Sequence, residues 1–260
     1  MAVELLSPIV IAASAVAFAG LERLFPYDRG QPLLREGFWT DLLWYTVIQS
    51  YLLALVIGGL IAWIDHRTGM SGMHLVSGWS IWAQLAFFFT LHDCYIYFFH
   101  RWQHHSPILW RIHEAHHSVK EVDWLAGARS HALEILINQT VEFLPMVLLG
   151  ADPHLPVVKG MVDAVWGMYI HSNLNVHTGR LQLFVNGPEM HRWHHAREIT
   201  SGGINFGTKL AVWDWLFGTA FLPPRKPSGY GLEEVPFPRN YFAQLSFAFR
   251  PARGAVETEA

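Results

Sequence analysis

The 260-residue sequence contains one cysteine, Cys94, so it can hold no internal disulfide framework and no cysteine-rich zinc or iron–sulfur site. It is also short of charge. Asp, Glu, Lys and Arg make up 15% of the chain, whereas soluble domains run nearer a quarter. So few charges could hardly cover the surface of soluble domains of this length, and the mean hydropathy of +0.21 agrees. Neither sign dominates: a net charge of −3 and a pI near 6.6 exclude a broadly basic nucleic-acid binder. No internal repeat is visible. What the chain does hold is 52% hydrophobic residues, 12 Trp, 17 Phe, 8 Tyr and sixteen histidines. It reads as a membrane protein with an unusual supply of imidazole.

A spanning helix needs about 20 mostly apolar residues, because the hydrocarbon core is about 30 Å thick and each residue rises 1.5 Å. Three segments qualify: Leu5 to Leu21, Leu42 to Ile64 and Trp79 to Phe99. The first has no basic residue before it and carries Glu4, which is the wrong flank for a cleaved signal peptide. Two shorter apolar runs, Leu133 to Leu149 and Val157 to Ile170, flank Asp152-Pro153-His154-Leu155-Pro156 and predict a helical hairpin over 133–170 that spans or re-enters. Sixteen of the eighteen Lys and Arg then fall on one face, leaving Arg67 and Lys159 on the other. That excess marks the cytoplasmic side. Residues 171–260 are too polar and too rich in Gly and Pro to span again, and predict a cap with short helices. Within it, Trp213 to Phe217 suits a membrane interface, and the tail from Arg250 onward reads as unstructured. The expected fold is an all-α integral membrane bundle of about three spans plus the 133–170 hairpin, with a cytoplasmic histidine-rich cap. Three parts follow: N-terminal transmembrane helices over 1–85, a histidine-bearing catalytic domain over 86–220, and a C-terminal tail over 221–260.

Most of the twelve histidines on the cytoplasmic face fall into three clusters. His100 and His104 continue the third span at i and i+4, and so share a helix face. His113, His116 and His117 repeat the pattern at i, i+3 and i+4, as do His191, His194 and His195. His171 stands at the cytoplasmic end of the last apolar run. His105 is rotated about 100° from His104 and falls outside the site. A tetrahedral zinc takes at most four ligands, so nine imidazoles suit two metals. Imidazole serves iron, zinc and copper alike and does not choose among them. Metal-bound histidines usually donate their second ring nitrogen to a carboxylate or carbonyl. Asp93, two turns before His100, is the first candidate for that role, with Glu114 and Glu134 behind it.

These residues carry a family resemblance. The His-x3-His, His-x2-His-His and later His-x2-His-His boxes resemble the sterol desaturase / fatty acid hydroxylase superfamily. So do His116-His117-Ser118, Arg129-Ser130-His131 with Glu134, His171-Ser172-Asn173, Pro188 to His195, Asn205-Phe206-Gly207 and Trp213-Asp214 to Thr219. The likeness covers roughly 90–220; the first 85 residues share only hydropathy. It implies a membrane di-iron enzyme that uses O2 to hydroxylate or desaturate a lipid, with two iron ions held by His100, His104, His113, His116, His117, His171, His191, His194 and His195. Zinc could replace iron in isolated protein. Some members carry a further ligand four residues after the position of His171; here that residue is Asn175, with His177 as a possible substitute, and His131 is a further ligand or a support for one. No fused cytochrome b5 domain is visible, so the expected electron donor is a separate cytochrome b5-like protein or a ferredoxin with its reductase. The expected setting is a bacterial inner membrane with the site facing the cytoplasm.

One motif competes. His113-Glu114-Ala115-His116-His117 contains H-E-x-x-H, the zinc metalloprotease signature in which Glu activates water. A membrane zinc metalloprotease is therefore the alternative, although it leaves the other two boxes and His171 without a role.

Overall fold

The computed structural model describes residues 2–199, 202–232 and 236–251. Among these residues every extended regular element is a helix, and the only β pairings are three isolated bridges. Helices α1 (Ala2–Leu24) and α2 (Thr40–Thr68) are both long and apolar enough to cross a bilayer. Their large apolar side chains, among them Ile9, Val16, Leu55 and Trp63, point outward. In lipid such exposure costs nothing, because the surroundings are as apolar as the side chains. The first ten residues of α2, Thr40–Gln49, are wound as a wider π-helix.

Helix α3 (Ile81–His105) occupies the expected third apolar run, started by the Ser80 hydroxyl accepting from the Ala83 amide, but unlike α1 and α2 it is not apolar enough to count as a membrane span by composition. It is less apolar than α1 and α2 because one stripe is polar and turned inward: Gln84, His92, Asp93, His100, Gln103 and His104 are all buried. Leu91, Phe98 and Trp102 face outward. Helix α4 (Pro107–His117) follows at once, capped by Ser106 and opened by a proline whose missing N–H is no loss in a first turn. Helices α5 (Ala132–Leu148) and α6 (Leu155–His171) form the expected hairpin. At 17 residues each they reach about 25 Å, short of a full hydrocarbon core unless the bilayer thins. α1 packs along α6, and α2 along α5.

Lys159 does not belong to an outer loop, as its place in the sequence suggested. It lies buried inside α6, its ammonium donating to His92 Nδ1 at 2.9 Å, to Asp163 Oδ2 at 2.8 Å and to Glu142. A lysine facing lipid would be costly; facing three acceptors in the bundle interior it is compensated.

The cap holds α7 (Pro188–His194), α8 (Val212–Leu216) and α9 (Tyr241–Phe247). Trp215, Leu216 and Phe217 are exposed, as a membrane-interface cluster requires. The expectation of an unstructured tail from Arg250 fails at its first residue: the Arg250 guanidinium is fixed on the buried Glu114 carboxylate, with Nη2 to Oε2 at 2.8 Å. Residues 252–260 lie outside the described residues. The N-terminal third is fastened to the α4–α5 connection by ion pairs. Asp41 accepts from Arg35 at 2.7 Å and from Arg129 at 2.8 and 3.0 Å, and Arg35 also reaches Asp123 at 2.9 Å.

Candidate metal centre

The C-terminal ends of α3, α4 and α6 converge with the short helix α7, and the nine histidines of the boxes separate into two buried groups. His100, His104, His113, His117 and His194 form one; His116, His171, His191 and His195 form the other. Within each group one ring nitrogen per residue lies within 4.8 Å of all the others. The division follows position within each box. Pairs four apart (100 and 104, 113 and 117, 191 and 195) stay together, while His116 and His194, three residues after their box starts, cross to the opposite group.

Tautomers follow from the outer partners. His100 Nδ1 donates to the Phe206 carbonyl at 2.8 Å and His113 Nδ1 to Glu134 Oε1 at 2.8 Å. Their Nε2 atoms, left with lone pairs, nevertheless face each other at 3.0 Å. The second group repeats this: His116 Nδ1 donates to the Arg129 carbonyl, His171 Nδ1 to the Gly167 carbonyl, and the two Nε2 atoms lie 3.3 Å apart. Two lone pairs at that distance repel unless a cation sits between them. Two nitrogens bound about 2.1 Å from one ion lie about 3.0–3.4 Å apart at ordinary ligand angles, so the spacing fits a coordination shell. His194 Nε2 and both nitrogens of His104 are buried without a hydrogen-bond partner. Burial, followed by the neighbouring imidazoles, holds His113, His116, His117, His191, His194 and His195 well below the ordinary imidazole range, so they stand neutral, as ligands must.

The remaining expected residues are placed as follows. Glu134 backs His113 and also accepts from Gln103 Nε2 at 3.0 Å. Asp93 does not reach His100. Its two oxygens accept from Thr208 Oγ1, the Lys209 and Leu210 amides and Trp213 Nε1, at 2.9–3.2 Å. Counting along one helix correctly put it on His100's face, but a loop of the cap occupies the space between. Glu114 turns away from both groups to Arg250, so it cannot activate water at either, and the metalloprotease alternative loses its base. His131 caps α5: its Nδ1 accepts from the Leu133 amide and its Nε2 donates to the Leu245 carbonyl. Asn175 and His177 are exposed, and His177 lies 3.5 Å from Glu189. None of these three joins a histidine group. His105, as expected, lies outside, bonding the Arg101 carbonyl.

A cavity of about 70 Å³ opens beside His100, His113 and His116, walled by Ile96, Phe99, Gln103, Ser130, Glu134 and Asn138. Gln103 and Asn138 were not singled out from the sequence; the visible signal was a polar residue inside a largely apolar helix. A third group of His92, Glu142 and Asp163 has metal-like spacing, but the Lys159 ammonium already fills it.

Residues 85–219 match the family model described as fatty acid hydroxylase. Among curated proteins, an ornithine lipid hydroxylase of Rhizobium tropici is 34% identical over 150 residues, 58% of this chain and 45% of that protein. Alkylglycerol monooxygenases of Danio rerio and Homo sapiens are 33% and 29% identical over 156 and 153 residues, each match covering 33% of the relative. The matched stretch thus spans less than half of each relative's length. No solved structure matches the chain.

Proposed function

Because the chain belongs to the fatty acid hydroxylase family, we propose that it is a membrane-bound, non-haem di-iron oxygenase that hydroxylates or desaturates a lipid with O2 and electrons from a separate carrier. The observation that carries this reading is the pair of facing Nε2 atoms in each of two histidine groups, on rings whose Nδ1 atoms are directed at oxygen acceptors. Two irons held there, five imidazoles around one and four around the other, would supply the redox chemistry that an unactivated C–H bond requires and that zinc lacks.

The chain's own part is to hold, orient and shield. Nine neutral imidazoles leave the metals' charge for oxygen chemistry. The buried setting excludes bulk water from the reacting centre. The small cavity beside His100, His113 and His116 is where the reacting carbon would sit, reached from the bilayer between α3 and α5. Its Ile96 and Phe99 wall suits an alkyl segment; Ser130, Gln103 and Asn138 suit an adjoining polar linkage. A polar membrane lipid oxidised near its headgroup therefore fits better than the far end of a long chain, and relatives named for an ornithine lipid and an alkylglycerol agree. A second cavity of about 350 Å³, lined by Ala54, Ile57, Gly58, Ile61 and Phe143 between α2 and α5, offers room for an acyl chain. The domain division at 85 and 220, a cytochrome b5-like or ferredoxin donor, and a bacterial inner membrane with the site toward the cytoplasm complete the proposal. Lipids extracted from cells with and without the gene test it by mass spectrometry. One added oxygen per lipid means hydroxylation and loss of two hydrogens means desaturation; an unchanged lipid profile would refute both.

A further inference from the structure

The outer nitrogens of the two histidine groups are held by different parts of the chain. In the five-histidine group, His100 donates to the Phe206 carbonyl at 2.8 Å and His194 to the Ile204 carbonyl at 2.7 Å. Both acceptors belong to one loop, residues 203–211, which enters between α3 and α7. The same loop lays the fully buried Phe206 ring against His100, His104 and His194, with ring centroids 5.4–6.1 Å apart. None of its orienting atoms touches the four-histidine group. There, the Arg129 carbonyl orients His116 and the Gly167 carbonyl orients His171.

The loop is pinned at two buried carboxylates. Asp214 accepts from the Phe206 and Gly207 amides, both at 2.8 Å. Asp93, reaching from α3, takes four donors from Thr208, Lys209, Leu210 and Trp213. Lys209 adds a tie to α6 through Asp163, Nζ to Oδ1 at 3.0 Å. Such fully paired buried carboxylates fix a loop because any displacement leaves a charge unsatisfied in a low-dielectric interior.

We propose that Asp93 and Lys209 are positioning residues for one metal only: they hold the loop whose carbonyls build the five-histidine site, so the two metal positions can be emptied independently. This rests on the reading of the two groups as metal sites. Two glycines give a reciprocal pair of probes. At Gly203, where φ is +62°, a Cβ would lie 2.6 Å from the Phe206 ring and 2.9 Å from the His104 ring. At Gly127 a Cβ would lie 2.6 Å from His171 Nδ1. Gly203→Ala should therefore disturb the five-histidine group and Gly127→Ala the four-histidine group.

The test is metal content per chain after anaerobic loading of the full-length detergent-solubilised protein with iron(II), with folding checked by size exclusion and helical circular dichroism. The unaltered chain should bind about two ions. Asp93→Asn, Lys209→Met and Gly203→Ala should each bind about one, and that ion should be lost on adding His191→Ala but kept on adding His194→Ala. Gly127→Ala should show the reverse pattern. If Asp93→Asn aggregates, Lys209→Met and Gly203→Ala decide. Folded Lys209→Met and Gly203→Ala chains that retain two ions, or lose both, would overturn the inference; an unaltered chain that binds none would instead overturn the metal reading itself.

Discussion

His113 and Glu134 are joined by a 2.8 Å hydrogen bond from Nδ1 to Oε1, and among the described residues Glu134 is the carboxylate that backs a clustered histidine. His100, His116, His171 and His194 lean on backbone carbonyls instead. A carboxylate raises the basicity of the imidazole it holds, and removing such a partner commonly costs about 10–100-fold in metal affinity. Glu134→Ala should weaken one of the two metals by that factor in a chelator competition titration. Glu134→Gln, which still accepts from His113, should lose less. Unchanged affinity in the alanine variant would mean the contact is incidental.

Glu114 divides two chemistries. Its carboxylate is turned to Arg250, away from the histidines. Glu114→Gln should keep most lipid-oxidising activity, with lower thermal stability because a largely buried ion pair is lost. His100→Ala and His194→Ala should each abolish activity. The opposite pattern, with Glu114→Gln inactive and His100→Ala active, would restore a hydrolytic reading of the H-E-x-x-H motif.

Acid should unfold the metal-free protein. His116, His117, His191 and His195 are held well below the usual imidazole value of about 6.5 by burial. Below that pH the unfolded chain binds protons that the folded chain refuses, so stability falls as pH falls, by up to about 1.4 kcal/mol per pH unit for each such histidine. Above about pH 7 both states are neutral and this contribution is flat. Melting temperatures of metal-free protein should therefore be level from about pH 7 to 8 and fall steeply from about 6.5 to 5. A flat profile through pH 5 would show that the imidazoles are not buried neutral.

The histidine boxes and the all-helical membrane fold were legible because they rest on period and composition: ligands three and four apart share a helix face, and apolar runs of spanning length announce themselves. The division into five and four was not legible, since residues three and four apart share a face alike and only the packing of the helices sends His116 and His194 to the opposite groups. The supports were not legible. The carbonyls of Ile204, Phe206, Arg129 and Gly167 carry no side-chain signature, and only the folded loop brings them to the rings. Asp93 was misassigned for the same reason, because no count along α3 shows that residues 208–213 fill the space beside it. Lys159, apparently an outer-loop charge, is a buried counter-ion to groups on three helices.

All nine histidines must emerge on one side of the membrane, and the excess of basic residues points to the cytoplasm. With Cys94 replaced by Ala, cysteine at exposed Ser77 should label with an impermeant thiol reagent on intact cells. Cysteine at exposed Ser228 should label only after lysis. Ser118 is a poor reporter because it is buried beside Arg129. Labelling of position 228 from outside would reverse the orientation.

The most direct measurement follows oxygen itself. Iron-loaded protein in vesicles of its own membrane lipids, supplied with a reductant and ¹⁸O2, should yield a lipid carrying one ¹⁸O atom, and none when His194 is replaced by Ala. For a desaturating enzyme the same experiment should instead yield a lipid short of two hydrogens, with consumption of O2. Intact lipids with O2 unconsumed, or oxygen incorporated from water rather than from ¹⁸O2, would contradict the assignment of the two histidine groups as an oxygen-activating centre.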